Sequence, residues 1–427
     1  MNKIKIIRTT TVPISLNVLL KGQLKFLAEY FNVVGISSKG KDLETVNHRE
    51  GIVTVAVDME RGISPLKDVV SLFKLYRQFK KQKPLLVHSI TPKAGLLSML
   101  AGKMAGVPIR MHTFTGLIFP TAKGLKQNIL IKTDQLLCWA ATNVYPEGNG
   151  VKNDLINYNI TLKPLKVLAN GNVNGIDTNY FNPNQIQVSQ KIQLKQQLGI
   201  SENHFVFIFV GRLVGDKGIN ELVEAFLKFP ISSNGVENSK IPVSSSGSEN
   251  AKKTVSSIGV ENSKIPVSSS GAENCKLLLV GPLETELDPL KEETLKEIET
   301  NPNIISVGFQ KDVRPYFSIS DCLVFPSYRE GFPNVVIQAG AMGLPSIVSN
   351  INGCNEIITE GKNGTIIPVK DAEALKIAMQ KMIADKQYYQ ALKQNARPMI
   401  QSRYEQSVVW NALLEEYNSL IVKIKEV

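Results

Sequence analysis

Cysteine is scarce in this chain of 427 residues, and long hydrophobic runs are absent. The four cysteines, Cys138, Cys275, Cys322 and Cys354, are scattered without a close pair. That spacing argues against a disulfide framework and a zinc site, and it is typical of a reducing cytoplasm. No apolar run reaches the roughly 18 residues of a membrane-spanning helix. Residues 1–8 lack a continuous apolar core, so we expect a first strand there and no signal peptide.

The composition is typical of a globular protein, but the charged residues are unevenly distributed along the chain. Its 43% hydrophobic and 20% charged residues are typical of a soluble protein, and its length allows two domains. Residues 1–170 hold 24 Lys and Arg against 10 Asp and Glu, whereas the rest of the chain holds 25 against 28. The first part is therefore strongly basic and needs an anionic partner or solvent around it.

The densest basic cluster lies on and just after a predicted helix that begins at Pro65. It comprises Lys74, Arg77, Lys80, Lys81 and Lys83. Each basic residue close to an anionic lipid leaflet contributes about 1 kcal/mol of binding, so this cluster could hold the chain on a membrane surface. It could equally be a solvated helix face. Nucleic acid is a poorer candidate partner, because the sequence has no helix-turn-helix or zinc-finger pattern and no interleaved aromatic residues.

Alternating strands and helices in the first 170 residues predict a parallel sheet with helices on both faces. We expect helices at 16–30, at 65–81 and after 91–95, and strands at 3–8, 33–37, 52–57, 84–89 and 109–113. Ligands of such sheets bind beyond the carboxyl ends of the strands.

A second set of the same kind follows residues 167–177, an Asn- and Gly-rich stretch that we interpret as the junction between two domains. Its predicted strands are 205–210, 276–281, 304–308, 322–325 and 346–349. The sequence therefore predicts domains at 1–170 and 171–404, and a last helix over 405–427 that packs back on the first domain.

One stretch interrupts the second domain. Residues 235–247 recur without change as residues 259–271, a period of 24 residues. Two copies cannot bury a core, since folded repeat arrays need at least three units. The stretch is also rich in Ser, Asn and Gly, so we interpret residues 231–274 as a mostly disordered insertion. A partner-binding loop is the alternative.

The most informative motif spans residues 327–345, after the predicted strand 322–325. A polar turn with Glu330 and Gly331 leads into helical apolar spacing from Asn334 onward. A strand, a short loop and a helix present free backbone N–H groups to an anion, and here a carboxylate stands beside that site. The pattern indicates a ligand with phosphate at one end and hydroxyls at the other, although an ordinary strand–loop–helix step would look the same.

A second loop, residues 211–218, follows the predicted strand 205–210 and carries Arg212 and Lys217 five positions apart. Both cations can turn to one anion, Arg as a planar fork and Lys as a mobile point charge. Two fixed cations would stabilise a leaving diphosphate. A solvated basic loop is the alternative interpretation. His112, at the end of strand 109–113, is expected to face the cleft, although a core histidine would fit the pattern equally well.

These motifs resemble those of retaining glycosyltransferases of family 4, which have the GT-B arrangement. Within that family the sequence is most similar to transferases that extend a lipid-linked sugar for capsule, O-antigen or exopolysaccharide. The residues that carry the likeness are 211–213, 217–218, 325–337, 340–345, 352–356 and Gly364. The likeness covers most of 165–400 and is weaker over 1–165, where the acceptor is expected to bind.

The resemblance implies a role for each matching residue. Glu330 and His112 would be the catalytic pair, with Glu330 at the hydroxyls of the donor sugar and His112 beside the sugar and the leaving phosphate. Arg212 and Lys217 would hold the donor diphosphate, the backbone of 331–335 would cradle the phosphates, and the turn 307–309 would pack near the base. The predicted donor-binding residues are Arg212, Lys217, Gly331, Phe332, Pro333, Asn334, Val335, Gln338 and Phe309.

The chain departs from the family pattern in two places. Gln338 stands where the family usually has a second Glu that binds the ribose, and an amide oxygen can accept only one such hydrogen bond without the charge. Residues 11–15 replace the usual Gly-Gly loop after the first strand. The sequence also has no Asp-x-Asp pair, which many sugar-nucleotide enzymes use to hold a metal. That absence fits metal-independent chemistry with Arg212 and Lys217 in place of the ion.

We therefore expect two Rossmann-like, doubly wound α/β domains that face each other across a cleft. The expected activity is retaining transfer from a nucleotide sugar, most simply a UDP-sugar, to a polyprenyl-diphosphate-linked saccharide, with no metal and no other cofactor. The expected location is the cytoplasm, peripheral on the inner face of the cell membrane. The alternatives are a sugar-nucleotide epimerase, which would need more acid/base groups in the cleft, and a non-catalytic scaffold, to which Gln338 and the insertion would be no obstacle.

Overall fold

Two parallel sheets of six strands each organise the chain in the computed structural model, which describes residues 3–62, 64–228, 274–284, 286 and 288–426. This architecture confirms the predicted α/β fold. The predicted insertion at 231–274 lies outside the described residues except for Asn274 at its end. No helix in the described part of the chain is long and apolar enough to cross a bilayer.

The first sheet is built from strands separated by helices, with parallel pairing between all neighbours. In chain order its elements are β1 (Lys5–Thr9), α1 (Pro13–Leu19), α2 (Gln23–Tyr30), β2 (Asn32–Ser37), α3 (Lys41–Glu50), β3 (Val53–Ala56), α4 (Pro65–Gln82), β4 (Leu86–Ser89), α5 (Pro92–Ala105), β5 (Ile109–Phe114), α6 (Gly124–Ala140) and β6 (Asn143–Pro146). The strand order is β3-β2-β1-β4-β5-β6. Helix α1 packs on α3, whereas α4 packs on α5 and α5 on α6, which gives one helix layer on each face.

The second sheet follows a connecting segment that contains α7 (Asn149–Asn157) and α8 (Val188–Gln197). Its elements are β7 (Phe205–Val210), α9 (Ile219–Leu227), β8 (Cys275–Val280), α10 (Glu292–Thr300), β9 (Ile304–Ser306), α11 (Arg314–Ser318), β10 (Cys322–Phe325), α12 (Asn334–Ala341), β11 (Ser346–Ser349), α13 (Cys354–Ile357), β12 (Gly364–Ile367), α14 (Ala372–Ala384) and α15 (Lys386–Tyr404). The strand order is β12-β11-β10-β7-β8-β9. Short 3-10 turns lie at Phe119–Thr121, Pro183–Gln185 and Gly215–Lys217.

Continuous apolar runs form the central strands because both faces of a parallel sheet are covered by helices. In β7, the four residues 206–209 are fully buried, and β8 and β10 are buried along their whole length. The carboxyl ends of β7 and β10 are adjacent, since these two strands pair directly. That adjacency brings the two loops singled out in the sequence to one place.

The structure differs from the sequence-based expectation at several elements. The helix predicted over 16–30 is two helices, α1 and α2, because Gly22 lies between them with a φ of 80°, which interrupts a right-handed helix. Helix α3 and strands β6 and β12 were not predicted. The two strands have only four residues each, and α3 has few apolar residues to mark its period.

The last helix, α16 (Gln406–Lys425), packs against the first sheet and its helix α2. The Tyr417 hydroxyl lies 2.7 Å from Nδ1 of His88 on β4, and the Trp410 ring lies 5.4 Å from that of Phe26 on α2. The Tyr145 hydroxyl of β6 donates to Glu416 at 2.7 Å. The end of the chain is therefore part of the first domain's core.

Candidate active site

The loops that follow β7 and β10 touch each other at the carboxyl edge of the second sheet. The backbone N–H of Tyr328 donates to the carbonyl of Asp216 at 2.9 Å. A second bridge joins the Arg329 guanidinium to the Asp216 carboxylate at 3.1 Å. The predicted cationic loop and the predicted acidic loop therefore form one surface.

Lys217 and Glu330 form an ion pair at the centre of this surface. Both side chains are mostly shielded, with 15% and 21% of their areas exposed. The Ser327 hydroxyl also donates to the same Glu330 oxygen, Oε1, at 3.2 Å. The structure thus brings together a cation and a carboxylate that are 113 positions apart in the chain, as the resemblance implied.

Arg212 lies on the same loop but has a different partner. Its Nη1 donates to Glu284 Oε2 at 2.9 Å, on the loop after β8, and its side chain is about half exposed. The Glu284 carboxylate is also partly exposed. Surface pairs of this kind are worth about 1 kcal/mol or less, so an anionic ligand could replace Glu284 as the partner of Arg212.

The residues after Glu330 run into the N-terminus of α12, whose first N–H groups have no acceptor within the helix. Two side chains of this stretch pack inward. Phe332 and Pro333 are buried, with the Phe332 ring 5.6 Å from that of Tyr404. Asn334 accepts a 2.9 Å hydrogen bond from Asn172 of the connecting segment. The backbone of residues 331–335 stays the predicted anion-binding element, and Asn334 is exposed beside it.

Gln338 and Phe309 are the remaining predicted donor-binding residues, and both are at least partly exposed. Gln338 is in the second turn of α12 and is partly exposed. Phe309 follows β9, the edge strand of the second sheet, and 73% of its surface is exposed. Their proposed contacts with the ribose and the base stay predictions.

The prediction that His112 faces the cleft was wrong, because its side chain is buried. It lies inside β5, is 1% exposed, and places Nδ1 2.8 Å from the Ser89 hydroxyl. A Cβ atom on Gly95 of α5 would fall 2.5 Å from the His112 ring, which shows how closely that helix covers it. Burial lowers the pKa of His112 to about 3, so the ring is neutral. His112 supports the wall of the cleft and cannot touch a ligand in this arrangement.

The part of the β5 loop that does meet the second domain is Thr115 and Gly116. A Cβ atom on Gly331 would lie 2.5 Å from the Thr115 carbonyl oxygen and 3.0 Å from the Gly116 Cα. Only a glycine allows two backbones to approach so closely. The residue next to Glu330 therefore touches the first domain directly.

A second contact between the domains is made by Glu356, which precedes the end of α13. Its carboxylate accepts from the backbone N–H groups of Asn149 at 2.6 Å and Gly150 at 3.0 Å, at the N-terminus of α7. Asn352 donates to Asp154 of the same helix at 2.8 Å. Carboxylates at helix N-termini are stabilised by the free N–H groups and the helix dipole. Sequence reasoning placed residues 352–356 in a motif but gave them no role.

Glu147, just after β6, is a buried acid near this contact. It lines a small cavity of about 20 Å³ with Arg8 and His88. Burial raises the pKa of Glu147 to about 8, with Glu356 adding to the shift and a hydrogen bond from the Val173 backbone opposing it. His88 is likewise buried between Tyr417 and Thr113, and burial keeps its pKa well below the usual value. Both residues are structural neighbours of the cleft.

No group of three or more His, Cys, Asp or Glu side chains that could hold a metal ion occurs within the described ranges. The groups that the loops after β7 and β10 present include the Arg212 and Lys217 cations, the Glu330 carboxylate and the backbone N–H groups at the start of α12.

Two protein-family models match the chain, one for each half. A model described as glycosyl transferases group 1 matches residues 267–399, and one described as glycosyl transferase 4-like matches residues 15–147. The chain belongs to the glycosyltransferases. This confirms the family that the loops at 211–218 and 327–345 indicated, and it sets the scaffold and epimerase alternatives aside.

Curated relatives of this glycosyltransferase include two bacterial enzymes. The capsular polysaccharide biosynthesis glycosyltransferase CapM of Staphylococcus aureus is 29% identical over 98% of this chain and 97% of its own length. The UDP-Gal:α-D-GlcNAc-diphosphoundecaprenol α-1,3-galactosyltransferase of Escherichia coli is 27% identical over 76% of this chain and 73% of its own length.

The glycosyltransferase also shares its fold with proteins whose structures have been solved. HepE from Anabaena, solved in complex with UDP and glucose, superposes with a TM-score of 0.73 over 97% of this chain and 100% of its own, at 17% identity. At this identity the likeness concerns the fold, and it confirms the two-domain α/β architecture.

Proposed function

We propose that this glycosyltransferase moves a sugar from a UDP-sugar to a saccharide carried on polyprenyl diphosphate, in the synthesis of a capsular or related surface polysaccharide. The names of two relatives support this: one acts in capsular polysaccharide biosynthesis and the other transfers galactose from UDP-Gal to a diphosphoundecaprenol-linked sugar. A transferase with two lobes and a cleft between them can hold one substrate on each lobe.

The observation that carries the proposal is the shielded pair of Lys217 and Glu330 beside Gly331. In the proposed complex Lys217 and Arg212 bind the donor diphosphate in place of their carboxylate partners, Glu330 and Glu284. Glu330, released from Lys217, accepts hydrogen bonds from hydroxyls of the donor sugar. The backbone N–H groups at the start of α12 donate to the phosphates. Each cation and N–H group of the site then binds a phosphate, and the carboxylate binds hydroxyls.

The proposed reaction retains configuration and proceeds on one face of the donor sugar. The bond from the anomeric carbon to the phosphate oxygen breaks, and a bond to the acceptor oxygen forms on the same face. The proton of the acceptor hydroxyl passes to the departing phosphate oxygen, so no protein base is required. Lys217 and Arg212 stabilise the negative charge that grows on the leaving UDP, which is the largest contribution asked of the protein. We propose that no metal takes part.

The first domain would receive the lipid-linked acceptor at the inner face of the cell membrane. Its basic composition supports this part of the proposal, because anionic lipids attract clustered Lys and Arg. Thr115 and Gly116, which touch Gly331, would then border the acceptor side of the cleft.

The test is a donor screen with the purified chain and a short-chain diphosphate-linked acceptor. We expect transfer from one UDP-sugar, undiminished by EDTA, with an α-anomeric product when the donor is α-linked, as read by NMR. Transfer that requires added metal, or an inverted product, would contradict those parts of the proposal. Absence of transfer from UDP-sugars together with turnover of another nucleotide sugar would contradict the donor assignment.

A further inference from the structure

A fully buried arginine lies in the middle of the first sheet. Arg8 is on β1, between β2 and β4, and it is paired in register with His88 of β4. Arg is almost never completely buried in a protein unless an acid pairs with it. Within the described ranges, however, Arg8 takes part in no ion pair. Its positive charge is therefore not balanced by a carboxylate in contact with it.

The guanidinium of Arg8 uses only part of its capacity to donate hydrogen bonds. Its Nη1 donates to Gln23 Oε1 of α2 at 2.7 Å. Its Nε and Nη2 are buried and have no hydrogen-bond partner among the residues that the structure describes. Buried N–H groups of a charged side chain are costly to leave unpaired. An acceptor for these two groups is therefore expected.

The Tyr417 hydroxyl of α16 lies near Arg8 but does not supply that acceptor. Burial lowers the pKa of Arg8, and the nearby Tyr417 hydroxyl opposes that shift. The same hydroxyl lies 2.7 Å from Nδ1 of His88, and it leaves Nε and Nη2 of Arg8 without a hydrogen bond of good geometry. Burial also raises the pKa of Tyr417 to about 12, so this hydroxyl is neutral and does not balance the charge of Arg8.

A small cavity adjoins Arg8. Its volume is about 20 Å³, and Arg8, His88 and Glu147 are among the residues that line it. A space of this size holds one water molecule or one ion of similar size. Its other walls come from β5 and β6, from the connecting segment and from α16. The cavity therefore lies inside the first domain, at the point where the last helix and the connecting segment cover the sheet.

Most polar side chains around the cavity already have partners. Both ring nitrogens of His88 are bound, Nδ1 by Tyr417 and Nε2 by the Thr113 hydroxyl at 2.8 Å. The Tyr145 hydroxyl donates to Glu416 of α16 at 2.7 Å. These groups hold the walls in place and leave the N–H groups of Arg8 as the donors without a partner.

Glu147 is the acid on the wall of this cavity. Burial raises its pKa to about 8, so the carboxyl group keeps its proton at neutral pH. A protonated carboxyl group has no charge to offset that of Arg8, but its O–H can donate a hydrogen bond. The cavity is thus bordered by hydrogen-bond donors and by one positive charge. A water molecule would satisfy the donors and leave the charge unbalanced, whereas an anion would do both.

We propose that this cavity binds one monovalent anion of the size of chloride, which accepts hydrogen bonds from the free N–H groups of Arg8 and from the carboxyl group of Glu147. Such an ion is only slightly larger than a water molecule, and it supplies the negative charge that a buried cation needs. The proposal does not rest on the proposed function.

The bound anion would join three parts of the chain that are distant in the sequence. It would lie between β1, the connecting segment and α16, all of which contribute to the cavity wall. Asn172 of that wall also donates to Asn334 at the start of α12, at 2.9 Å. Binding should therefore stabilise the packing of α16 and of the connecting segment on the first sheet.

The first test is thermal melting of the full chain at neutral pH in sodium chloride, sodium bromide and sodium gluconate, each at about 0.15 M so that screening is equal. Gluconate is far too large for the cavity. We expect chloride and bromide to raise the melting temperature by about 2–4 °C relative to gluconate, as a ligand that binds the folded chain alone would do. Equal melting temperatures in the three salts would overturn the proposal.

Arg8→Met removes the charge that the anion balances, so its melting temperature should be the same in chloride and in gluconate. Arg110→Met is the matched control, because it removes another arginine of the first sheet whose Nε and Nη1 already donate to the carbonyls of Ala140 and Val107. The control should keep the full difference between the salts. A difference that survives in Arg8→Met, or that is lost from the control as well, contradicts the proposed site.

Diffraction from the unaltered chain gives a result even if Arg8→Met does not fold. Crystals grown in sodium bromide should show an anomalous peak between Arg8 and Glu147. A water molecule at that position, or a direct contact between an ionised Glu147 and Arg8, would refute the anion site. A bromide peak without any effect of the salt on melting would mean an adventitious ion only, and it would also count against the proposal.

Discussion

Gly331 and Thr115 touch across the cleft, and a Cβ atom added to Gly331 would lie 2.5 Å from the Thr115 carbonyl oxygen. The contact is between backbones, so neither side can yield by moving a side chain. It joins the residue that follows Glu330 to the end of β5, and it therefore sets how closely the two domains can approach at the proposed donor site.

We predict that Gly331→Ala holds the domains apart. The methyl group would push the Thr115 loop back by roughly 1 Å, and misplacement of that size can reduce turnover by about a hundredfold. The melting temperature should change little, because each domain keeps its own core. Gly62→Ala is the matched control, since nothing lies within 4 Å of a Cβ atom there. Wild-type turnover in Gly331→Ala would contradict a role for this contact.

Lys217→Ala should lower turnover far more than it lowers stability. Loss of one charge that stabilises the leaving group costs about a hundred- to a thousandfold in kcat. Glu330 loses its shielded partner but keeps the hydrogen bond from Ser327, so we expect the free energy of unfolding to fall by about 1–3 kcal/mol. Steady-state kinetics and thermal melting check both expectations. Lys228→Ala, which removes an exposed Lys paired with Glu224, is the control. Activity within a few-fold of wild type would refute the diphosphate assignment.

Glu356→Ala should loosen the domains in the absence of substrate. The carboxylate caps the N-terminus of α7 through two backbone N–H groups, and such caps are worth about 0.5–2 kcal/mol. Small-angle scattering should show a larger radius of gyration, and the KM for the donor should rise. Glu373→Ala, which removes an exposed acid of α14, controls for charge. An unchanged scattering profile would show that the cap does not limit opening.

The pH dependence of stability should report Glu147. Its folded pKa of about 8 lies above the ordinary value of 4.5, so the folded state keeps a proton that the unfolded state has lost. The free energy of unfolding therefore falls as pH rises from 4.5 to 8, by up to about 1.4 kcal/mol per pH unit.

Glu147→Gln removes the loss of stability that ionisation of Glu147 causes, and it keeps the shape of the side chain. The variant should melt higher than wild type at pH 8.5 and close to wild type at pH 5, as measured by calorimetry at both values. Equal differences at the two pH values would mean that Glu147 is already charged in the folded chain.

The sequence was informative about the second domain because its signals are local. The apolar run of β7 and the strand–loop–helix pattern around Glu330 predicted their elements, and parallel pairing of β7 with β10 then makes Lys217 and Glu330 neighbours. The contacts between the two domains were not predicted, because they join residues that are far apart in the sequence. The contact of Glu356 with Asn149 joins residues more than two hundred positions apart, and nothing local marks it.

The prediction for His112 was wrong for a different reason. Strand β5 continues to Phe114, two residues beyond His112, and every side chain from Met111 to Phe114 is buried beneath the helices that cover the sheet. The predicted strand stopped one residue too early, at Thr113. The first-domain residue that reaches the second domain is Thr115, which follows the observed end of the strand and lies three positions beyond His112.

Helix α16 follows the second lobe in the sequence but packs on the first. Tyr417 contacts His88, and Trp410 contacts Phe26, so the core of the first lobe is completed by residues that follow the second lobe in the sequence. During translation the second lobe can mature while the first still exposes part of its interior. A nonsense mutation just before α16 should therefore destabilise the first lobe, although every residue of that lobe's sheet is still made.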